Sequence, residues 1–298
     1  MPQIGYFCPD GQSIKFEDCL KKCRMGERCL SLPTLKKMSE QRTWTGIPST
    51  TQLIKGTKQA MLEILRNYYV KPKSLAFALL GTKYHKTLED HSFIMEKEFK
   101  NKRMTGVADY YDPDEETLWD FKTTGSYKIR KSLGLTARKI KDPSGERYKR
   151  SGKGYKAGDV KMINEWYVNP KAKDSRDWDL QLNRYAVWFE EAEFSVKKIK
   201  IEATVRDGGL KAATTNGIEE SMYVIELQKL DKEYVMHYFD LKTKALRSAL
   251  TISWSPKCNE KETWGGIRCE RFCPVKEFCD QMKEKEKYYN LFKDSIIM

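Results

Sequence analysis

The eight cysteines of this 298-residue chain fall into two groups of four, one near each end. Within each group the successive cysteines are separated by ten, three and five residues, and no cysteine lies between the groups. Thiols scattered through a hydrophobic core as small apolar side chains would not repeat a spacing. The pattern therefore predicts two four-cysteine metal modules. The predicted ligands are Cys8, Cys19, Cys23, Cys29, Cys258, Cys269, Cys273 and Cys279.

The spacing leaves the identity of the metal open between iron–sulfur and zinc. Structural zinc sites usually use paired C-x-x-C knuckles, and neither group contains one. A 4Fe–4S cluster also takes four cysteines and tolerates varied spacing, so it is the preferred occupant, with Zn²⁺ as the alternative. Disulfides are a further alternative, but the first residues lack the apolar core of a signal peptide. The repeated spacing favours two self-contained groups over one in which an N-terminal cysteine joins the C-terminal three.

The second constraint is an acidic hairpin predicted over residues 106–124. Asp109 lies on its first strand, and Asp120 and Lys122 lie on its second. Because side chains alternate between the faces of a strand, Asp120 and Lys122 point the same way, and Asp109 can meet them across the hairpin. Two carboxylates beside one ammonium are costly to bury unless a divalent cation such as Mg²⁺ or Mn²⁺ joins them. This is the chemistry of metal-dependent phosphodiester cleavage.

A D-x-K triplet alone is also common as an exposed cross-strand pair, so the neighbouring segments matter. The segment before the hairpin, residues 74–91, has helical periodicity and places His85 and Glu89 on one face. The segment after it, residues 177–191, is a second amphipathic helix that carries Gln181 and Tyr185 one turn apart. Each of these polar residues has a purely structural alternative, such as a satisfied core histidine or the edge of a core helix.

Five segments in order resemble the motifs of the RecB-type PD-(D/E)XK nucleases, which include the nuclease domains of recombination helicases and the CRISPR-associated exonucleases. The segments are PSTTQLI (48–54), GTKYH (81–85), GVADYYD (106–112), LWDFKTT (118–124) and QLNRY (181–185). The resemblance covers most of residues 46–250. It implies that His85, Asp109, Asp120 and the main-chain carbonyl of Phe121 bind the catalytic metal. It also implies that Lys122 assists catalysis and that Gln181 and Tyr185 support the site near the DNA.

The cysteines match this family only in part. The segment RCERFCPVKEFC (268–279) resembles the C-terminal cysteine triplet that binds a 4Fe–4S cluster in many RecB-type nucleases, although its first gap is one residue longer. In those relatives the fourth ligand follows the PSTTQLI-like segment. Here the corresponding residues read KGTKQAML and contain no cysteine.

The predicted fold is α/β, with a restriction-endonuclease-like core in which helices flank a central mixed β-sheet, and with cysteine-rich metal-binding modules at both termini. Helices are expected at 50–69, 74–91, 177–191 and 231–250, and strands near 95–100, 104–112, 117–123, 196–207 and 221–230. The predicted domains are an N-terminal module and linker (1–45), a nuclease core (46–250) with a basic insertion at 125–176, and a C-terminal module and tail (251–298).

The chain carries 55 Lys and Arg against 42 Asp and Glu, a net charge of +13, which favours a polyanionic partner. Residues 128–156 alone hold eleven Lys or Arg against two acids, with tyrosines and glycines between them. This composition predicts a flexible flap that orders on DNA through phosphate contacts and occasional base stacking. The alternative is a solvated loop with no specific partner.

Together these features predict a metal-dependent deoxyribonuclease, specifically an exonuclease that processes DNA ends or single strands in recombination, repair or replication. Two alternatives remain: a non-catalytic nucleic-acid-binding subunit, and an endonuclease active only within a larger complex. No Walker-type phosphate-binding loop is present, so a helicase or recombination partner would supply any ATP-driven unwinding. No apolar run reaches membrane-spanning length, and a cytoplasmic location is expected.

Overall fold

The computed structural model describes residues 2–41, 43–89, 95–101 and 103–284. The strands are β1 (Gln3–Phe7), β2 (Ser13–Lys15), β3 (Tyr68–Val70), β4 (Met95–Lys100), β5 (Thr105–Asp112), β6 (Thr117–Thr124), β7 (Leu135–Lys141), β8 (Met162–Val168), β9 (Lys198–Val205) and β10 (Met222–Leu227). The α-helices are α1 (Phe16–Lys21), α2 (Leu32–Ser39), α3 (Thr50–Ile54), α4 (Thr57–Leu65), α5 (Ala76–Glu89), α6 (Ser126–Leu133), α7 (Arg176–Glu191), α8 (Lys211–Thr215), α9 (Lys232–Ile252), α10 (Glu260–Thr263) and α11 (Ile267–Arg271).

The central sheet has five strands in the order β10-β9-β6-β5-β4. Strands β6 and β9 are parallel, and the other neighbouring pairs are antiparallel. The parallel pair arises because the chain leaves β6, passes through α7 and returns as β9, the crossover that parallel strands require. Strand β9 alternates buried Ile199, Ile201, Ala203 and Val205 with less buried residues, so one face supplies much of the core.

Helices cover both faces of this sheet. Helix α7 lies on the face toward which Asp120 points, since its Gln181 amide donates to that carboxylate. Helix α5 lies on the other face, where the ring of Tyr84 meets Phe121 edge to face at 6.3 Å. Helices α3 and α9 pack on α7 in a further layer. The predicted mixed α/β core, with a central mixed sheet between helices, is therefore confirmed.

The helix predicted over 50–69 is wrong as a single element. The chain forms α3, breaks at Lys55 and Gly56, and continues as α4 before entering β3. Lys55 has an extended backbone, and Gly56 serves as the N-cap of α4. A β-carbon at residue 56 would lie 2.4 Å from Sγ of Cys258, so glycine at the break allows Cys258 to pack closely against it.

The N-terminal residues join the core through a small sheet of order β2-β1-β3. Strand β1 pairs antiparallel with β2 and parallel with β3, which directly follows α4. Tyr6 of β1 is buried, and its hydroxyl donates to the carbonyl of Leu35 at 2.8 Å. The N-terminal module is therefore built onto the core rather than tethered to it.

The segment predicted as a flexible flap, residues 128–156, has regular structure in its first half, which corrects the prediction for that half. This half belongs to α6 and β7, and β7 pairs with β8, which lies beyond the segment, over seven residue pairs in register. Gly134 ends α6 in the left-handed conformation (φ 70°), which glycine adopts without strain, and the chain enters β7 at once. Only the tip between β7 and β8 consists of turns and isolated bridges.

Among the described residues, none of the helices has both the length and the apolar character needed to cross a membrane.

Candidate active site

The two predicted acids meet where β5 and β6 begin to separate. The antiparallel register pairs Tyr110 with Trp119, and one further step places Asp109 beside Asp120. Asp109 is 8% exposed and Asp120 is 1% exposed. Oδ2 of Asp109 accepts a hydrogen bond from the main-chain N–H of Phe121 at 2.8 Å. A carboxylate side chain thus lies where the strand ladder would otherwise continue.

Strands β5 and β6 diverge at this point, and this divergence is called the fork. Strands β5 and β6 are in register over only three residue pairs, whereas β6 pairs with β9 along all eight of its residues. In β5 the consecutive residues Ala108 and Asp109 are both buried because helices cover both faces of the sheet, and Asp109 lies on the same face as Asp120. The fork therefore carries both acids on neighbouring strands.

Lys122 completes the charge cluster. Its ammonium forms an ion pair with Oδ2 of Asp120, and its side chain is half-buried. Burial lowers the pKa of Lys122, but the carboxylates of Asp120 and Asp109 outweigh that effect, so the pKa is raised above its ordinary value. Two carboxylates and one ammonium still leave a net negative charge. A set of buried, hard oxygen donors with excess negative charge fits a divalent cation such as Mg²⁺ or Mn²⁺.

Helix α7 supplies the predicted supporting pair. Nε2 of Gln181 donates to Oδ1 of Asp120 at 3.4 Å and to the hydroxyl oxygen of Tyr185 at 3.2 Å. Burial, followed by the charge on Asp120, raises the pKa of Tyr185 well above its usual range, so the phenol stays protonated. The structure therefore brings Asp109, Asp120, Lys122, Gln181 and Tyr185 together, while their catalytic roles stay predictions.

Two of the implied metal ligands are placed less fully. His85 belongs to helix α5, but its side chain lies outside the described residues, as does that of Glu89. Phe121 lies between Asp120 and Lys122 on β6, so its main chain is part of the fork. Within the part of the chain that the structure describes, no group of three or more His, Cys, Asp or Glu side chains is arranged to hold a metal ion.

No functional role was predicted for Thr50 and Gly106, which lie behind the site. Thr50 is fully buried, its hydroxyl donates to the carbonyl of Thr105 at 3.2 Å, and it also hydrogen-bonds Tyr185. A β-carbon at Gly106 would lie 2.6 Å from Cζ3 of Trp188 and 2.7 Å from Cε1 of Tyr185. A glycine inside a strand pattern signals such a close approach, and that signal was available in GVADYYD.

Replacing Gly106 with alanine is expected to destabilise the protein by about 1–3 kcal/mol, because two packed aromatic rings must move. Gly81→Ala is the matched control, since a β-carbon there meets nothing within 4 Å and the residue lies within helix α5. That control is expected to stabilise by about 0.5–1 kcal/mol. Urea unfolding of both variants measures the difference. Equal stability of the two would contradict the close packing at Gly106.

The N-terminal cysteines are gathered around one cavity. Cys8, Cys19, Cys23 and Cys29 all line it, together with Arg24 and Arg28. Burial raises the pKa of Cys19, and the neighbouring thiols of Cys8, Cys29 and Cys23 raise it further. None of the eight cysteines forms a disulfide bond. The four thiols line one cavity, although the described cysteines are not arranged to hold a metal ion.

The C-terminal cysteines also lie near one another. The pKa of Cys273 is raised to about 11, mainly by burial, with smaller contributions from Glu63, Cys269 and Cys279. The pKa of Cys258 is raised by burial, with Cys269 and Cys279 again among the smaller causes. Within each quartet the thiols raise one another's pKa, while the metal-binding role of both quartets stays a prediction.

The contact between Cys258 and Gly56 bears on the missing cysteine of the KGTKQAML segment. The sulfur of Cys258 occupies the space beside Gly56, which is where a side chain from that segment would project. Two ion pairs hold the C-terminal module against the same region: Lys58 with Asp280 at 2.6 Å, and Lys242 with Glu262 at 2.8 Å. Cys258 therefore brings a sulfur to this segment from the other end of the chain.

Comparison with known proteins gives structural neighbours of low sequence identity. No protein-family model matches the chain, and no curated protein matches it. Among solved structures, the chain is similar to SSO0001, with a TM-score of 0.40 and 15% identity over 89% of this chain and 95% of the other. It is also similar to a phage-related exonuclease from Haemophilus somnus 129PT, with a TM-score of 0.34 and 12% identity over 70% of this chain and 95% of the other. Likenesses at these TM-scores do not define an activity, so the function is inferred from the site itself.

Proposed function

We propose that this chain is a divalent-metal-dependent DNA nuclease that acts as an exonuclease. The observation that carries the proposal is the fork between β5 and β6, where buried Asp109 and Asp120 converge beside Lys122. A purely structural ion pair would need one carboxylate for one ammonium. The second buried carboxylate adds a negative charge that one ammonium does not offset, and a divalent cation at this position would neutralise it.

Asp109 and Asp120 would hold the metal, with His85 and the carbonyl of Phe121 as the further ligands that the family resemblance implies. When bound, a divalent ion supplies Lewis acidity toward the phosphate and a lowered pKa for a coordinated water. The fit is of oxygen donors to a hard cation, which favours Mg²⁺ or Mn²⁺.

The protein's own groups position the reaction. Lys122 places a positive charge next to Asp120, where it offsets charge on the scissile phosphate and orients the attacking water. Gln181 holds the Asp120 carboxylate through Oδ1 and links it to Tyr185. Because β6 is paired with β9 along its whole length, these groups are fixed before substrate arrives.

The two cysteine quartets are proposed to hold metal that stabilises the ends of the chain, with 4Fe–4S preferred and Zn²⁺ as the alternative. The repeated spacing and the shared N-terminal cavity support this proposal. The predicted helicase or recombination partner and the cytoplasmic location stay predictions.

Incubation of the purified chain with labelled single-stranded and duplex DNA tests the proposal. We expect cleavage with Mg²⁺ or Mn²⁺, no cleavage when EDTA is present, and release of mononucleotides from an end. Gel analysis of products over time separates the modes, because internal fragments would indicate an endonuclease.

A mobility shift without cleavage under any metal would contradict the proposal and favour a non-catalytic binding subunit. Cleavage that appears only after addition of a helicase or recombination protein would favour the third possibility, a nuclease active within a larger complex.

A further inference from the structure

A strongly basic arm, with 14 Lys or Arg against five Asp or Glu, is inserted between the two elements that carry the candidate site. This basic arm comprises residues 126–174: it begins just after β6, which holds Asp120 and Lys122, and ends just before α7, which holds Gln181 and Tyr185. Its two ends are joined to each other, since the N–H of Asp174 donates to the carbonyl of Lys131 at 2.8 Å. The arm therefore projects from the immediate edge of the site.

The base of the arm is anchored firmly to the core. The main-chain N–H and the hydroxyl of Ser126 both donate to the carboxylate of Asp207, at 2.7 and 2.6 Å. The ring of Trp166 in β8 packs against Gly217, where a β-carbon would lie 2.5 Å from the ring. A rigid base fixes the direction in which the arm extends.

Most of the cations on the arm are not neutralised by the protein. Two are paired: Arg138 with Glu165, and Lys161 with Glu146. Six others are exposed and have no ion pair among the described residues. They are Lys139, Lys141, Lys149, Arg150, Lys153 and Lys156. An excess of unpaired cations on one projection favours a polyanionic partner.

The register of the hairpin separates paired from unpaired cations. Arg138 lies opposite Glu165, and their side chains share one face of β7-β8. Lys139 and Lys141 lie on the other face, which they share with Trp166, the residue that packs against the core. The unpaired lysines therefore lie on the face of the hairpin that turns toward the core at its base.

The tyrosines of the tip are engaged with the protein. Tyr148 and Tyr155 stack on each other with ring centroids 3.8 Å apart, and the hydroxyl of Tyr148 accepts a hydrogen bond from the N–H of Met162 at 3.2 Å. Rings used in this way stabilise the tip rather than receive bases. At the tip this leaves phosphate contact by the exposed cations as the available chemistry.

We propose that the basic arm is a sequence-independent clamp for the phosphate backbone of the DNA that enters the candidate site, an inference that rests on the proposed nuclease function. Such a clamp holds the strand by charge alone. Its binding contribution falls steeply with salt and does not depend on base sequence.

The test measures DNA binding to the full chain by fluorescence anisotropy from about 50 to 200 mM KCl, the range over which phosphate contacts are strongly weakened. All proteins carry Asp120→Asn, so that binding is read without cleavage and without a chelator. The arm variant adds Lys139→Gln and Lys141→Gln. The control adds Lys232→Gln and Lys244→Gln, which remove the same charge from exposed positions on α9.

We expect the control to keep the salt dependence of the parent, and the arm variant to lower the slope of log K against log salt by about 1.4–1.8, since each phosphate contact contributes about 0.7–0.9. The loss should be equal for two DNA sequences of the same length. Circular dichroism melting confirms that both variants fold.

Wild-type affinity and slope in the arm variant would overturn the clamp, even if the parent sequence with Asp120 restored cleaves DNA. The opposite combination of results is also possible. The arm variant could lose binding in a salt-dependent way while the wild-type protein cleaves no DNA with any divalent metal. That outcome would support the clamp and contradict the nuclease. A loss confined to one DNA sequence would also overturn the clamp, because it would indicate base reading.

Discussion

Asp120→Asn is expected to lower the rate of DNA cleavage by about a thousandfold, the order lost when a preorganised electrostatic contact to the transition state is removed. Asparagine keeps the shape of the side chain and removes the charge that Lys122 and the proposed metal require. Single-turnover cleavage with saturating protein measures the chemical step directly. DNA binding is expected to remain near that of wild type, because Asp120 is only 1% exposed.

Asp114→Asn is the matched control for this substitution. It makes the same chemical change in the turn of the same hairpin, at an exposed residue outside the fork. Its cleavage rate should equal that of wild type. An Asp120→Asn protein that still cuts at the wild-type rate would show that the fork is not the catalytic centre.

Loss of the metal proposed for the C-terminal module is expected to have the second largest effect. Cys273→Ser should remove the metal of that module and lower stability by several kcal/mol, because a structural metal contributes its binding energy to folding. The change should spread to α3 and α4, since Cys258 packs on Gly56 and Asp280 pairs with Lys58. Metal analysis and visible absorbance of protein isolated without oxygen, together with thermal melting, measure these effects.

Cys19→Ser in the other quartet is the natural comparison for Cys273→Ser. Self-contained quartets predict that each substitution removes the metal of its own module and leaves the other loaded. If Cys19→Ser emptied the C-terminal module as well, the two ends would share ligands. Wild-type protein that holds no metal after anaerobic isolation would contradict both metal modules.

The hairpin and helix α7 were predictable from sequence because their signals are local. Alternation along β5 and β6 sets which side chains share a face, and the four-residue spacing of Gln181 and Tyr185 places both on one side of a helix. Neither inference depends on distant residues. The bounds of β9, β10 and α9 agree with the predicted segments for the same reason.

The break at Gly56 and the order of the basic arm were not predictable in this way. The packing of Cys258 against Gly56 joins residues that are remote in sequence, so no local period reveals it. The arm was interpreted from its lysines, tyrosines and glycines, yet its order depends on pairing between β7 and β8 and on the Trp166–Gly217 contact. The composition of the arm therefore predicted the irregular structure of its exposed tip but not the pairing of β7 with β8.

The fork between β5 and β6 was predictable from the sequence in part. The sequence places Asp109 opposite Asp120, but it carries no mark of how far β5 and β6 stay together. The separation follows from partner choice: β5 continues beside β4, and β6 continues beside β9. Which pairings win is a property of the whole sheet rather than of either strand.

Segments near both termini contact the same short stretch, residues 56–70. Strand β1 adds to β3 from the N-terminal side, and Cys258 and Asp280 reach Gly56 and Lys58 from the C-terminal side. Trimming the chain to a minimal core of 46–250 would therefore leave β3 without a partner strand and remove the contacts that Cys258 and Asp280 make with Gly56 and Lys58. The predicted N-terminal and C-terminal modules thus both contact residues 56–70 of the predicted core.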